Sequence, residues 1–136
     1  MSEVDHYVLD TSAILTLRGD EPGADRVENL LRMAARGHTQ ILLSFMTRME
    51  LLYRIGRDEG AEVAAAAIRL LDATAIRWIS CDDDVLEEAS RIKAGSRISV
   101  ADAWIAATAA LRSAVLVHKD PEFLRLKHVV QERLDH

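Results

Sequence analysis

Residues 7–15 read YVLDTSAIL. The apolar run Tyr7 to Leu9 ends at Asp10, and Thr11 and Ser12 follow as hydroxyl caps for a helix running to about Arg18. A short strand that passes at once into a helix is half of a parallel crossover, because parallel neighbours cannot be joined by a tight turn. The same alternation recurs along the chain. Ile41 to Leu43 read as a buried strand followed by a helix from about Thr47, and Arg77 to Ile79 lead into a helix opened by Asp82, Asp83 and Asp84. Val115 to Val117 form a fourth strand and Val129 to Val130 a fifth. Between these, the loop Gly19 to Gly23 opens a helix with Val27, Leu30, Leu31 and Ala34 on one face, which Gly37 stops. Gly60 precedes a helix from about Ala61 to Ala73. Val85, Leu86, Ala89 and Ile92 line the helix that Gly95 ends, and Ser99 starts an apolar helix to Leu111. Pro22 and Pro121 both stand where helices begin. The expected class is α/β, a parallel sheet with helices on both faces, and ligands of such sheets gather beyond the carboxyl ends of the strands.

The 136 residues fit one domain, 1–136, and a hydrophobic content of 49% supplies a core without staples. Cys81 is the lone cysteine, so no intrachain disulfide can form. With the polar, acidic start at 1–6 this leads us to expect a reducing cytoplasm. Ala103 to Leu111 is too short for a bilayer, which needs about 20 apolar residues. A net charge of −5 runs against nucleic-acid binding through lysine and arginine alone, but acidic metal ligands also lower the total. Arg91, Lys93 and Arg97, with Lys119, are the basic residues placed to guide a phosphate backbone; a wet surface is the plainer reading.

Asp102 is the sole charge in SVADAWIAATAAL, residues 99–111, and no cation lies three or four residues away. Ser99 and Asp102 approximate a capping box, yet a carboxylate in so apolar a helix is costly without a partner, and a metal ion would supply one. Asp10 ends a strand at the sheet's carboxyl edge and doubles as an N-cap. Glu50 closes a formal capping box with Thr47 and has Arg54 four residues on, so its bland reading is strong. Asp120, before Pro121, reads as a turn residue unless its strand brings it to the same edge. If the strands are parallel, Asp10 and Asp120 share that edge, while Glu50 and Asp102 sit in the first turns of helices starting from it. Such a carboxylate cluster repels itself without cations, and its all-oxygen donors suit Mg²⁺ or Mn²⁺ rather than zinc. The histidines read as surface or satisfied residues, and Trp78 and Trp104 as core.

Four segments in order, YVLDTSAIL, TRMELLY, SVADAWIAATA and LVHKDPEF, resemble a PIN domain, closest to the VapC type of toxin in toxin–antitoxin pairs. The resemblance spans essentially the whole chain and implies a PIN-like three-layer sandwich around a parallel sheet of about four to five strands. It implies that Asp10, Glu50, Asp102 and Asp120 are the acidic metal-site positions, that Thr11 or Ser12 supports them, and that the activity is metal-dependent hydrolysis of RNA to 5′-phosphate and 3′-hydroxyl ends. A homodimer and a VapB-like antitoxin whose tail enters the site are implied as well. Where many members carry Thr or Ser two residues before the last acid, this chain has His118.

Two rival readings remain at this level. A Mg²⁺-binding receiver domain needs a phosphoacceptor Asp ending a central strand, whereas the middle strands here end near Ser44 and Ser80. A catalytically silent RNA-binding adaptor would keep the core and lose acids, and here the acid set is intact.

Overall fold

The structure, a computed structural model, describes residues 4–136; the first three residues of the polar start lie outside it. Its strands are β1 (Asp5–Leu9), β2 (Thr39–Ser44), β3 (Ile76–Ile79), β4 (Val115–His118) and β5 (Gln131–Arg133). They form one five-stranded sheet in the order β3-β2-β1-β4-β5, parallel throughout, with Tyr7 opposite both Ile41 and Val115. Six helices join them: α1 (Thr11–Arg18), α2 (Ala24–Ala35), α3 (Phe45–Glu59), α4 (Ala61–Asp72), α5 (Asp83–Ala94) and α6 (Val100–Leu111), with a 3-10 turn at Pro121–Arg125.

The period-two alternation of strands divides the core. Val8, Leu42 and Leu116 point to one face, where α5, α6 and Phe123 cover them. Leu9, Ile41, Leu43 and Val117 point to the other, against α1, α2, α3 and α4. Both faces are sealed, so the strands read as continuous apolar runs rather than alternating ones. The three-layer sandwich follows directly. From β1 the chain lays β2 and β3 on one side, then returns to lay β4 and β5 on the other. The strand order thus reverses between β1 and β4, and the crevice outside their carboxyl ends is where doubly wound sheets hold ligands.

Several local expectations change. α1 is capped by Asp10, whose carboxylate accepts the Ser12 N–H at 3.0 Å, so Thr11 and Ser12 lie inside the helix. α3 starts earlier than expected because Ser44 caps it, accepting the Met46 N–H at 3.1 Å; the Thr47–Glu50 capping box therefore does not form. Leu31 is half-buried and Leu86 is 48% exposed, because Val85, Ala89 and Ile92 set the inner stripe of α5 and Leu86 falls beside it. Trp78 and Trp104 lie at the boundary rather than in the core. The indole N–H of Trp78 needs a polar partner and donates to Asp72 at 2.7 Å, while Trp104 packs edge-on to Phe45.

The last strand forms at Gln131–Arg133, not at 129–130. Val129 is buried in the core, Val130 offers its carbonyl to Leu116 N–H at 2.8 Å, and the ladder continues through polar residues. The backbone requires glycine at both ends of α2. Gly37 ends α2 at φ +78°, and Gly23 opens it at φ +100° where a Cβ would stand 3.0 Å from that of Leu134. Among the described residues no helix is long and apolar enough to cross a membrane.

Candidate active site

Asp10 leaves β1 at the reversal point. Its N–H donates to Val117 O at 2.9 Å, extending the ladder to β4, and its side chain is enclosed, with the residue 4% exposed. The Asp10 carboxylate accepts both the N–H and the hydroxyl of Ser12. Ser12 Oγ also accepts the Lys119 N–H at 3.0 Å, so one hydroxyl ties the exit of β1 to the exit of β4. Thr11 serves a different acid: its Oγ1 donates to Glu50 Oε1 at 2.8 Å and lies 3.1 Å from Thr47 Oγ1. Glu50 consequently stands in the second turn of α3, not the first, and among the described residues it forms no ion pair with Arg54.

Asp102 occupies the first turn of α6, where its N–H donates to Ser99 Oγ at 3.1 Å. Only that half of a capping box exists; the Asp102 carboxyl turns toward the other acids. One oxygen from each of Asp102, Asp120 and Glu122 lies within 4.8 Å of the others. Asp120 caps the 3-10 turn by accepting the Glu122 N–H at 3.0 Å, which aims Glu122 back at the cluster. Glu122 escaped the sequence reading. Its available signal was a carboxylate two residues beyond Asp120 across Pro121, a spacing that a 3.6-residue period does not reveal.

His118 is fully buried under Phe123. Its Nδ1 accepts the Asp120 N–H at 3.1 Å, and its Nε2 stands 2.9 Å from Gln131 Oε1. Burial lowers its pKa, so the ring is neutral with the proton on Nε2. His118 thus holds the Asp120 backbone from below. Lys119 departs from expectation: its ammonium donates to Pro22 O at 2.6 Å, so only its backbone N–H serves the cluster. Of the other basic residues, Arg91 pairs with Glu88 at 2.8 Å and Lys93 donates to Ile98 O at 2.9 Å.

The electrostatics bind the separate contacts into one site. Burial pushes the Asp10 carboxyl up to about 6 against the opposing Ser12 hydrogen bonds, with the charges of Glu50 and Asp120 adding to the rise. Asp102 is pushed up to about 8, first by burial, then by Asp10 and Asp120, the latter also taking a hydrogen bond from its protonated form, and by Glu50. Asp10, Glu50, Asp102 and Asp120 therefore sense one another at the reversal crevice, and among the described residues no ion pair neutralises them or Glu122. A crevice whose converging donors are all carboxylate oxygens fits a hard divalent ion.

The PIN domain family model matches residues 7–129. Among solved structures, a chain of VapBC2 from Rickettsia felis bound to a DNA fragment from its promoter is similar at TM-score 0.79 and 20% identity, over 96% of this chain and 99% of that one. A chain of VapBC-1 from nontypeable Haemophilus influenzae gives TM-score 0.74 and 26% identity over 94% and 97%. VapC20 from Mycobacterium tuberculosis, a sarcin-ricin loop cleaving toxin, gives TM-score 0.68 and 17% identity over 89% and 95%. No curated protein sequence matches. The family match runs from β1 past the last acid and takes in all six helices and the whole carboxylate crevice, and so this chain belongs to the PIN domain family.

Proposed function

We propose that this chain is a Mg²⁺- or Mn²⁺-dependent endoribonuclease and the toxin of a toxin–antitoxin pair, acting in the cytoplasm. The observation that carries the reading is the convergence of Asp102, Asp120 and Glu122 beside the enclosed Asp10, with no ion-pair partner for any of them among the described residues. Asp102, Asp120 and Glu122, whose oxygens converge within 4.8 Å, would hold the metal together with Asp10, with Glu50 at its margin. When bound, such a cation supplies Lewis acidity toward a phosphoryl oxygen and acidifies water. The chain's own part is positional. Ser12 and His118 fix Asp10 and Asp120, Thr11 fixes Glu50, and a carboxylate among them orients the attacking water and accepts its proton. No protein nucleophile is needed. The 26% identical VapBC-1 chain and the sarcin-ricin loop cleaving toxin VapC20 share the fold, which supports this class.

Partners follow from the same features. An acidic crevice invites an arginine from an antitoxin, which can pair with a carboxylate through two hydrogen bonds. Met49, Leu52 and Tyr53 are exposed along one face of α3, and Leu86 and Val100 are exposed near Trp104; a homodimer would cover this apolar surface. The deciding experiment is cleavage of single-stranded RNA by chelator-treated protein. Activity should be absent in EDTA and return with Mg²⁺ or Mn²⁺ but poorly with Zn²⁺, because the donors are carboxylates. Undiminished cutting in EDTA would end the metal reading, and RNA binding without any Mg²⁺-dependent cutting would return the chain to the silent adaptor.

A further inference from the structure

Next to the acids the chain builds a surface of opposite sign. A cleft of about 770 Å³ is lined by Arg91, Arg97, Arg125, Lys127 and His128, with no Asp or Glu in its lining. This segregation is the reverse of what a net charge of −5 would scatter over the surface. Glu88, outside the lining, holds Arg91 at 2.8 Å and lies 3.7 Å from His128 Nε2, so these two lining residues already have an acidic neighbour. Arg97, Arg125 and Lys127 are exposed, and among the described residues they form no ion pair. Like charges converging on one hollow raise its potential and favour an anionic occupant.

The walls of the cleft are continuous with the catalytic candidates. Gly95, Ser96 and Arg97 lead into α6, which carries Asp102 in its first turn. Arg125 ends the 3-10 turn that Asp120 caps. A 3-10 turn rises about 2 Å per residue, so Arg125 lies within roughly 10 Å of Asp120 along it. From Arg97 to Asp102 the chain covers at most roughly 11 Å, two extended residues and three helical ones. A strand with one phosphodiester at the acids has its neighbouring phosphates within reach of Arg97 and Arg125. No Phe, Tyr or Trp lines it, so only His128 and the arginine planes could stack on a base.

We propose that this cleft is a phosphate-binding subsite in which Arg97 and Arg125 grip the backbone of the RNA strand beside the scissile bond. The proposal rests on the nuclease reading for the strand's identity. Arginine forks suit phosphate oxygens, and contacts to backbone alone position a substrate without reading its sequence. The cleft sets affinity and register, and base specificity lies elsewhere.

The test uses the full chain and fluorescein-labelled oligouridine in EDTA, where binding is read without cleavage. The Arg97→Ala/Arg125→Ala double variant should weaken binding by about tenfold for each arginine, as for a lost charged hydrogen bond. Its salt dependence should be shallower by about 1.4 in the log–log slope, roughly 0.7 per phosphate contact on a single strand. Arg36→Ala/Arg69→Ala removes the same charge from the opposite layer and should bind like the parent, and thermal unfolding should show both variants folded. Equal affinity of parent and double variant overturns the subsite. So does an equal loss in the control pair, which would mean bulk charge. Displacement of the oligonucleotide by polyglutamate at matched charge would assign the cleft to an acidic peptide instead. Cleavage by the parent in Mg²⁺ is scored separately: binding through the cleft without cleavage sinks the nuclease reading alone, and cleavage with unaltered affinity in the double variant sinks the subsite alone.

Discussion

Asp102→Asn is expected to lose about a thousandfold or more of Mg²⁺-dependent RNA cleavage while unfolding no earlier than the parent in metal-free buffer at neutral pH. The activity loss follows because Asn keeps the shape of Asp but neither charge nor proton affinity, and Asp102 is one of three residues whose oxygens meet within 4.8 Å. The stability expectation follows from repulsion. Asp102 is pushed up to about 8 by burial and by Asp10, Asp120 and Glu50, so at neutral pH the folded state must take up a proton that the unfolded chain does not hold, which costs stability. Asn removes that burden. It leaves the cap untouched, because Ser99 accepts from the backbone N–H of Asp102 and not from its side chain. A residue kept for structure would behave oppositely, with the charge loss costing stability and sparing the rate. Single-turnover cleavage and thermal unfolding on the same preparations separate the two cases; early unfolding of the variant without metal, or a rate near the parent's, would assign Asp102 to the scaffold.

Much of the fold is legible in the sequence because parallel strands sealed on both faces appear as short apolar runs, and runs such as Ile41 to Leu43 fall inside observed strands. The family resemblance, carried by the four quoted segments, is borne out by the match over 7–129. What stayed hidden is local competition. Ser44 and Thr47 can both cap a helix, and the choice between them depends on where β2 ends, so the sequence alone does not show that Glu50 falls in the second turn of α3. The strand β5 is polar because Gln131 answers to His118 and to the Phe123 and Leu126 carbonyls rather than to an apolar face. Glu122 joins the cluster through a turn of 3-10 pitch. Side-chain direction is the third limit: Lys119 is adjacent to an acid in sequence, but its ammonium reaches Pro22.

The metal-free protein is expected to lose stability as pH rises from 6.5 to 8, and Mg²⁺ to restore it increasingly across the same window. An unfolded aspartate titrates near 3.8, whereas folding raises Asp10 to about 6 and Asp102 to about 8. Between the unfolded and folded values the native state binds more protons, so the contribution is full below about 4 and is lost as pH climbs through the folded pKa values. His118 acts in the reverse sense, being buried neutral with its pKa lowered from 6.5, so its effect is confined below that value. Above 6.5, Asp102 dominates. A cation competes with the retained proton, and its apparent affinity must rise as that proton leaves. At about 100 times its dissociation constant a ligand adds roughly 2.7 kcal/mol, which for a chain of this length is on the order of 10 °C in Tm. Thermal scans in EDTA and in Mg²⁺, on the parent and on Asp102→Asn, give the four curves needed. The parent's EDTA curve should fall from pH 6.5 to 8 and its Mg²⁺ curve should diverge upward, whereas the variant should be nearly flat in EDTA and gain less from the metal. A parent curve that is flat in EDTA, with a Mg²⁺ shift independent of pH, would mean that Asp102 ionises as an ordinary surface acid and takes no part in holding a cation.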